Sequence, residues 1–168
     1  MKRVVLIGSG GSGKSTLARR LGEKLQINVY HLDALFWNPN WIGVPKDEQR
    51  KILLELVRKE EWIIDGNYGG TMSVRLSAAD TIIFLDLPRI ICVHRAFKRM
   101  LQYRSKISPD MGEGCEERFN FEFFKWIWYF PTTKRPEILK RLDQLSKAQQ
   151  VTILKTPKEV REFLAKLE

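Results

Sequence analysis

The feature that most restricts the fold of this chain is a glycine-rich stretch near its start, where a glycine is followed by four residues and then by Gly-Lys-Ser. Glycines permit positive φ angles, so successive backbone N–H groups can turn inward around a polyphosphate. A helix that begins there adds the positive end of its dipole, its lysine reaches the outer phosphates and its serine ligates Mg²⁺. We predict that this loop binds ATP and Mg²⁺; the alternative is a flexible Gly/Ser turn. The loop comprises Gly8, Ser9, Gly10, Gly11, Ser12, Gly13, Lys14, Ser15 and Thr16.

Short apolar runs alternate with helical stripes along the chain, which predicts an α/β fold. The predicted strands cover residues 4–7, 28–32, 62–66, 81–87 and 151–154. The predicted helices cover about 13–25, 45–60 and 89–101, then two segments after residue 118 separated near 131–136, and a last one from 157. We expect a three-layer fold with a five-stranded parallel sheet and helices on both faces.

The length of 168 residues fits one domain, residues 1–168, with ordinary globular composition. Within it we predict an acceptor-binding segment at about 33–61, containing one helix. Residues 102–118 combine Pro and Gly with many charges and little periodicity. We expect them to form a short mobile lid.

The net charge is +9, and most of the excess lies in the middle of the chain. Residues 89–141 hold 12 of the 29 Lys and Arg residues but 6 of the 20 Asp and Glu residues. Such a balance suits a phosphate-rich small ligand or a nucleic-acid backbone, and an ordinary charged surface also explains it.

The two cysteines, Cys92 and Cys115, are too few for a disulfide scaffold. No apolar run near the start is long enough for an export signal or a membrane span. We therefore expect free thiols, a cytoplasmic location and no membrane association. The sequence does not indicate an oligomeric state.

Motifs after the loop resemble those of adenylate-kinase-like enzymes. The resemblance rests on Asp65-Gly66-Asn67-Tyr68 and Asp86-Leu87-Pro88, followed by Arg95 and Arg99 on one helix face. It implies that Arg95 stacks on the adenine and that Arg99 contacts the phosphates. A carboxylate at the Asp65 position can hold Mg²⁺ through water, although an Asp-Gly turn is the structural alternative.

A narrower resemblance, to the topology modulation (FlaR-like) proteins, covers nearly the whole chain. It rests on residues 31–37, 40–41, 65–68, Arg75, 86–89 and 109–111 with Cys115. The motifs of that group imply a P-loop kinase, whereas its name implies an effect on DNA topology.

Asp33 follows the second predicted strand, where shikimate- and gluconate-kinase-like relatives place an aspartate near the acceptor hydroxyl. The resemblance implies that Asp33 orients or deprotonates the acceptor, and a helix N-cap is the alternative. Trp37 and Trp41 could stack on a flat acceptor or pack beneath a loop. Tyr68 and Arg75 could bind an anionic acceptor, with Arg75 as a planar clamp or simply as a solvated residue.

The lid region carries Lys98, Arg99, Arg104, Lys106 and Arg118 on it or beside it. Basic side chains that close over a triphosphate neutralise transferring charge, so we predict catalytic roles for Lys14, Asp33, Arg99, Arg104 and Arg118. Residues 119–130 hold 8 of the 18 aromatic residues. Helix packing explains them better than stacking on nucleic-acid bases does.

These patterns together predict a kinase that transfers the γ-phosphoryl group of ATP·Mg²⁺ to a small acceptor, such as a nucleotide, nucleoside or other metabolite. The alternative is an ATP-binding regulatory or DNA-associated protein that influences DNA topology. We favour the small acceptor over DNA because no helix-turn-helix pattern is visible.

Overall fold

A parallel β-sheet forms the centre of the molecule. The computed structural model describes residues 1–167. Its strands are β1 (Arg3–Gly8), β2 (Val29–His31), β3 (Trp37–Asn38), β4 (Ile42–Gly43), β5 (Trp62–Asp65), β6 (Thr81–Leu85) and β7 (Gln150–Leu154). The order β2-β5-β1-β6-β7 forms one parallel sheet, while β3 and β4 form a small antiparallel hairpin. The predicted five-stranded parallel sheet is therefore confirmed.

Helices cover both faces of the sheet and bury its strands. They are α1 (Lys14–Leu25), α2 (Leu32–Phe36), α3 (Lys46–Val57), α4 (Gly69–Ala78), α5 (Arg89–Gln102), α6 (Phe121–Asp143) and α7 (Pro157–Ala165). Helices α2, α3, α4 and α6 contribute to the core on one face, and α1, α5 and α7 to the core on the other. Residues 4–7 are fully buried because apolar side chains cover them from both sides.

Helix α6 continues across the two prolines that were expected to divide it. Pro131 and Pro136 both lie inside it. Each proline removes one backbone donor from the helix, and between them the Thr133 hydroxyl donates to the Tyr129 carbonyl at 2.9 Å. Phe130 and Ile138 are buried in the core on either side of the interruption. The prediction of two separate segments is wrong because packing outweighs local propensity.

Two parts of the chain are more structured than the sequence indicated. Helix α4 was not predicted, since Gly69 and Gly70 open it and glycine is a weak helix former. The segment 33–61 was expected to hold one helix. It contains most of α2, the β3–β4 hairpin and α3.

The carboxyl ends of the strands bring the predicted site residues to one edge of the sheet. The phosphate loop follows β1, Asp65 ends β5, and Asp33 lies just beyond β2. Ligands of open parallel sheets bind at this edge. Among residues 1–167, no helix has the length and apolar composition needed to cross a bilayer.

Candidate active site

The phosphate loop lies against α5 and leads into α1. A Cβ atom at Gly11 would come within 2.0 Å of the Cys92 carbonyl oxygen, and Gly11 has a φ of +72°. Close approach and backbone conformation therefore both require glycine. Gly13, with a φ of +93°, precedes α1, whose first turn has neither an acidic residue nor a side-chain cap. This helix N-terminus fits an anionic ligand such as the phosphates of ATP.

Ser15 is hydrogen-bonded to the carboxylate that ends β5. Its hydroxyl donates to Asp65 Oδ2 at 2.6 Å. Burial raises the pKa of Asp65, but hydrogen bonds from His31 and Ser15 and the charge of Lys14 hold that pKa below its usual value. The carboxylate is therefore ionised at neutral pH. A serine hydroxyl and an ionised carboxylate are oxygen donors that Mg²⁺ prefers, so this pair fits the predicted metal.

His31 connects this pair to the lid, a relationship that the sequence did not reveal. Its Nδ1 lies 2.6 Å from Asp65 Oδ1, and its Nε2 lies 3.7 Å from Asp110 Oδ1. Because the Asp65 carboxylate is ionised, Nδ1 carries the proton of that hydrogen bond. Asp110 also pairs with Arg19 of α1. Only the pairing of β2 with β5 places His31 beside Asp65, so no sequence spacing could have indicated it.

Two cavities meet at the phosphate loop. One has a volume of about 600 Å³ and the other about 430 Å³. Lys14, Ser15, Arg99, Ser108 and Asp110 line both of them. Two ligands bound in these cavities would therefore approach each other beside the lysine and serine of the loop.

The smaller cavity is strongly cationic. Six of its lining residues are Lys14, Arg19, Arg20, Arg95, Arg99 and Arg161, against one acidic residue, Asp110. The remaining wall includes Pro157 and Val160 of α7. Such a charge balance suits a polyphosphate. The sequence indicated Arg95 and Arg99, whereas Arg19, Arg20 and Arg161 were missed because nothing in the local pattern separates them from surface arginines.

Arg95 and Arg99 make contacts that position their guanidinium groups. Arg95 donates to the Ser12 carbonyl of the loop at 3.3 Å. Arg99 Nε lies 3.5 Å from the Glu117 carboxylate, which ties α5 to the lid. The predicted roles in adenine stacking and phosphate contact remain proposals.

The larger cavity contains a hydrogen-bonded chain of three side chains. The Tyr68 hydroxyl donates to Asp33 Oδ1 at 2.7 Å and accepts from Trp37 Nε1 at 3.0 Å. Burial raises the pKa of Tyr68 far above its usual value, and the Asp33 charge adds to the effect. The phenol therefore stays protonated and holds one oxygen of Asp33. The N-cap of α2 is His31, so Asp33 does not serve as the cap.

The two hairpin tryptophans both line the larger cavity. The rings of Trp37 and Trp41 meet edge to face at 5.7 Å. Trp41 Nε1 donates to the Glu116 carbonyl at 3.1 Å, and the Arg118 guanidinium lies 5.6 Å from the Trp41 ring. The two tryptophans therefore pack beneath the predicted lid and also present part of their surface to the larger cavity.

Helix α6 supplies one wall of the larger cavity, which the sequence did not predict. The residues that face it are Phe123, Trp126, Phe130, Lys134, Glu137, Ile138 and Arg141. The expectation that the aromatic stretch packs in the core holds for the buried Ile127 and Phe130. Phe119 and Phe121 are instead 63% and 65% exposed.

Arg75 does not serve as an acceptor clamp. Its side chain is fully buried and donates to the Gly66 carbonyl at 2.7 Å and the Tyr68 carbonyl at 3.1 Å. It therefore braces the turn between β5 and α4, and its predicted role is corrected. Arg104 is exposed on the lid and lies outside both cavity walls, whereas Arg118 lines the larger one.

Residues 102–118, the predicted lid, pack directly on the β3–β4 hairpin. Asn40 N–H donates to the Gly114 carbonyl at 3.0 Å, and the buried Cys115 Sγ donates to the Asn38 carbonyl at 3.2 Å. A Cβ atom at Gly112 would lie 3.0 Å from the Ala34 carbonyl oxygen. These contacts bring the predicted acceptor segment and the predicted lid together over the larger cavity.

Comparison with solved structures identifies the fold. A shikimate kinase from Bacteroides thetaiotaomicron aligns with a TM-score of 0.60 at 18% identity, over 99% of this chain and 95% of that one. The chain has the fold of shikimate kinase. A shikimate kinase from Acinetobacter baumannii, solved in complex with shikimate, aligns with a TM-score of 0.62 at 15% identity, over 99% and 90% of the two chains.

A sugar kinase from Janibacter sp. aligns less closely, with a TM-score of 0.52 at 15% identity over 98% of this chain and 93% of that one. No family model and no curated protein matches the sequence. At these identities the structural matches describe the fold of the chain, whereas its chemistry depends on its own residues.

Proposed function

We propose that the protein is a kinase that transfers the γ-phosphoryl group of ATP·Mg²⁺ to a hydroxyl group of a small acceptor. The observation that carries this proposal is the meeting of two cavities at Lys14 and Ser15. The cationic cavity suits ATP, and the larger one contains Asp33. A protein that only hydrolyses or senses ATP has no need of the second cavity.

Different residues serve different steps of the proposed reaction. Lys14 and the loop N–H groups neutralise the charge that develops on the transferred phosphoryl group. Ser15 and, through water, Asp65 would hold Mg²⁺, which would offset the negative charge of the phosphates. Asp33 accepts the proton of the acceptor hydroxyl as its oxygen bonds to phosphorus. The bond from phosphorus to the bridging oxygen breaks, and ADP leaves.

Arg99 and Arg118 complete the site from α5 and the lid. Both line the larger cavity, and Arg99 lines the smaller one as well. Guanidinium groups at the junction would offset charge on the equatorial phosphate oxygens. As part of this proposal, the chain is a P-loop kinase similar to the adenylate-kinase-like enzymes and to the topology modulation proteins. This resemblance rests on the sequence motifs.

The test is release of ADP with and without candidate acceptors. Slow ATP hydrolysis alone and faster ADP production with a suitable hydroxyl compound would support the kinase. Lys14→Ala should lower this turnover about a hundredfold or more, because a preorganised charge at the transferring group is lost. Its melting temperature should match that of the control Lys51→Ala on α3. Undiminished turnover in Lys14→Ala would contradict the proposal.

A further inference from the structure

We propose that the protein binds peripherally to an anionic membrane surface through an exposed apolar face formed by α5, α6 and the residue Phe119 that precedes α6. The face consists of six large side chains that are between 41% and 70% exposed: Ile90, Phe97, Leu101, Phe119, Phe121 and Trp128. None of them lines either cavity, so this binding would be independent of the proposed kinase activity. Peripheral binding needs no membrane-spanning helix, and it departs from the expectation of no membrane association, which rested on the lack of a spanning segment.

Helix α5 supplies one row of the apolar face. Ile90, Phe97 and Leu101 are separated by seven and four residues, a spacing that places them on one side of the helix. Cys92 and Ala96 lie on the other side, buried in the core. From Ile90 to Leu101 the row is about 16 Å long at 1.5 Å per residue.

Helix α6 supplies a second row, and ring contacts join it to the first. The half-buried ring of Phe124 lies 6.4 Å from the ring of Phe97 and 5.6 Å from the ring of Phe119, measured between centroids. Phe121 and Trp128 are three and four residues from Phe124 along α6, on the same side of the helix. The two rows therefore form one continuous surface.

The apolar face is large for a surface exposed to water. At about 200 Å² for a whole aromatic side chain, its four aromatic members alone expose on the order of 400 Å². Ile90 and Leu101 are both more than half exposed, and they bring the total to the order of 600 Å². The largest apolar patch on a typical monomer is about 300–600 Å², and patches at or above the top of this range mark interaction sites.

The rim of the apolar face carries positive charge. Lys98 on α5 and Lys125 on α6 are exposed, and each directly follows a phenylalanine of the two rows. Neither lysine forms an ion pair within residues 1–167. The Arg89 guanidinium lies 4.0 Å from the ring centroid of Trp128 and donates to the Trp128 carbonyl at 3.3 Å. A cationic rim around an apolar centre complements the anionic headgroups and acyl chains of a bilayer.

The neighbouring carboxylates do not cancel this charge. Helix α5 has no acidic residue, and the first three turns of α6 have only Glu122, which is offset from Phe121 by about 100° around the helix. Glu117 is paired with Arg99. The exposed lid carboxylates, Glu113 and Glu116, flank residues 114 and 115, which contact the β3–β4 hairpin.

The shape and the charge of the apolar face favour a bilayer over another protein. Its side chains project from the helices and line neither cavity, whereas a docking peptide helix uses an apolar groove. A second copy of the chain would bring two basic rims together. A bilayer accepts projecting aromatic side chains at the headgroup boundary, and lysine stems can extend along apolar surface while their ammonium groups stay among the phosphates.

The test is co-sedimentation of the full chain with lipid vesicles. One set contains phosphatidylcholine alone, and the other contains equal amounts of phosphatidylcholine and phosphatidylglycerol. In 0.1 M KCl we expect the anionic vesicles to bind the protein at least about tenfold more tightly. Binding should weaken in 1 M KCl, because the screening length falls from about 10 Å to about 3 Å.

An aromatic variant tests the apolar part of the face. Phe97→Ser combined with Phe121→Ser should lower the affinity for anionic vesicles roughly tenfold, because membrane binding scales with the apolar area buried. Ile42→Ser combined with Leu54→Ser changes exposed apolar residues on β4 and α3, and this control should bind like the unaltered protein. Both variants are first checked for an unchanged melting temperature.

A charge variant tests the rim. Lys98→Gln combined with Lys125→Gln should also lower the affinity roughly tenfold, since each basic residue near an anionic surface adds to the attraction. Lys51→Gln combined with Lys140→Gln removes the same charge from exposed positions elsewhere and should have a much smaller effect.

Tryptophan fluorescence reports which side of the molecule enters the bilayer. Anionic vesicles with brominated acyl chains should quench part of the fluorescence, and Trp128→Phe should remove most of that quenching. Equal binding to the two vesicle sets, no binding to either, or binding that is unchanged in the Phe97→Ser/Phe121→Ser variant would overturn the proposal. A dimer mass in light scattering without lipid, lost in that variant, would overturn it in favour of a second copy.

Discussion

The phenol of Tyr68 holds Asp33 through a hydrogen bond of 2.7 Å between residues 35 positions apart in the chain. The bond fixes one carboxylate oxygen and leaves the other available to the acceptor. Tyr68 is therefore a positioning residue for the proposed reaction. Trp37 supports it by donating to the same phenolic oxygen.

Loss of this hydrogen bond should lower turnover more than affinity. We expect Tyr68→Phe to reduce kcat roughly tenfold with little change in KM, because hydrogen bonds to charged groups contribute about 1.5–3 kcal/mol. Asp33→Asn should reduce kcat by about 10²–10⁴, the range of general base catalysis. In the Asp33→Asn background, Tyr68→Phe should have little further effect. Additive losses in that double-mutant cycle would show that Tyr68 acts independently of Asp33.

Ser15 should set the concentration of Mg²⁺ that the reaction requires. Ser15→Ala removes the hydroxyl that pairs with Asp65, so half-maximal ADP formation should need roughly tenfold more Mg²⁺, within the range reported for altered metal-site residues. Ser15→Thr keeps the hydroxyl and should behave like the unaltered protein. A magnesium titration at saturating ATP measures both. An unchanged requirement in Ser15→Ala would place the metal elsewhere.

Binding to duplex DNA should be weak, independent of sequence and suppressed by ATP·Mg²⁺. Arg99 is paired with Glu117, and Arg99 and Arg118 both line a cavity sized for small ligands. A protein that neutralises several DNA phosphates loses affinity by about 0.9 log unit per log unit of salt for each contact. A salt titration with and without ATP·Mg²⁺ provides the measurement. Tight binding with a steep slope that persists in Lys14→Ala would make DNA a genuine partner.

Asp80 should make folding stability depend on acid pH. Its Oδ2 accepts from the backbone N–H groups of Lys2 and Arg3, each at 2.8 Å, and its Oδ1 accepts from the Thr81 hydroxyl at 2.6 Å. Burial raises the pKa of Asp80, but these hydrogen bonds hold it below its usual value. The stabilisation is therefore complete above the unfolded-state value of about 3.9 and is lost as pH falls through the lower folded-state pKa.

Substitution of this carboxylate tests the sign of that dependence. Asp80→Asn should lower the free energy of unfolding at pH 7 by about 1–2 kcal/mol, since it replaces charged acceptors with a neutral one. The difference from the unaltered protein should shrink as the pH falls below about 4. Urea denaturation across this pH range measures it, with the exposed Asp143→Asn as control. A difference that stays constant with pH would show that the Asp80 charge is not responsible.

The sequence predicted the elements whose signals are local. The phosphate loop follows from glycine chemistry, and the buried strands follow from continuous apolar runs such as residues 4–7. It did not predict His31 beside Asp65, because that contact exists only once β2 pairs with β5. The wall formed by Trp126 and Arg141 was missed because a helix that serves both core and cavity has the periodicity of an ordinary packed helix.

For Arg75, in contrast, the sequence predicted a contact that the structure does not have. An arginine in a motif with an aspartate and a tyrosine suggested contact with an anion, yet the guanidinium satisfies two backbone carbonyls inside the protein. A turn that leaves carbonyls pointing inward needs buried donors, and this requirement is invisible before the chain is folded. Nothing in the sequence separates such a brace from a surface arginine.

The wall shared by the two cavities has a consequence for inhibitor chemistry. Because Lys14 and Ser15 border both chambers, a single compound that joins adenosine to an acceptor through a phosphate tether could occupy both at once. Tethering turns the second contact into an intramolecular event, so avidity can exceed that of either half by about 10²–10⁴. The affinities of a series of such compounds with different tether lengths would therefore measure the distance over which the phosphoryl group travels.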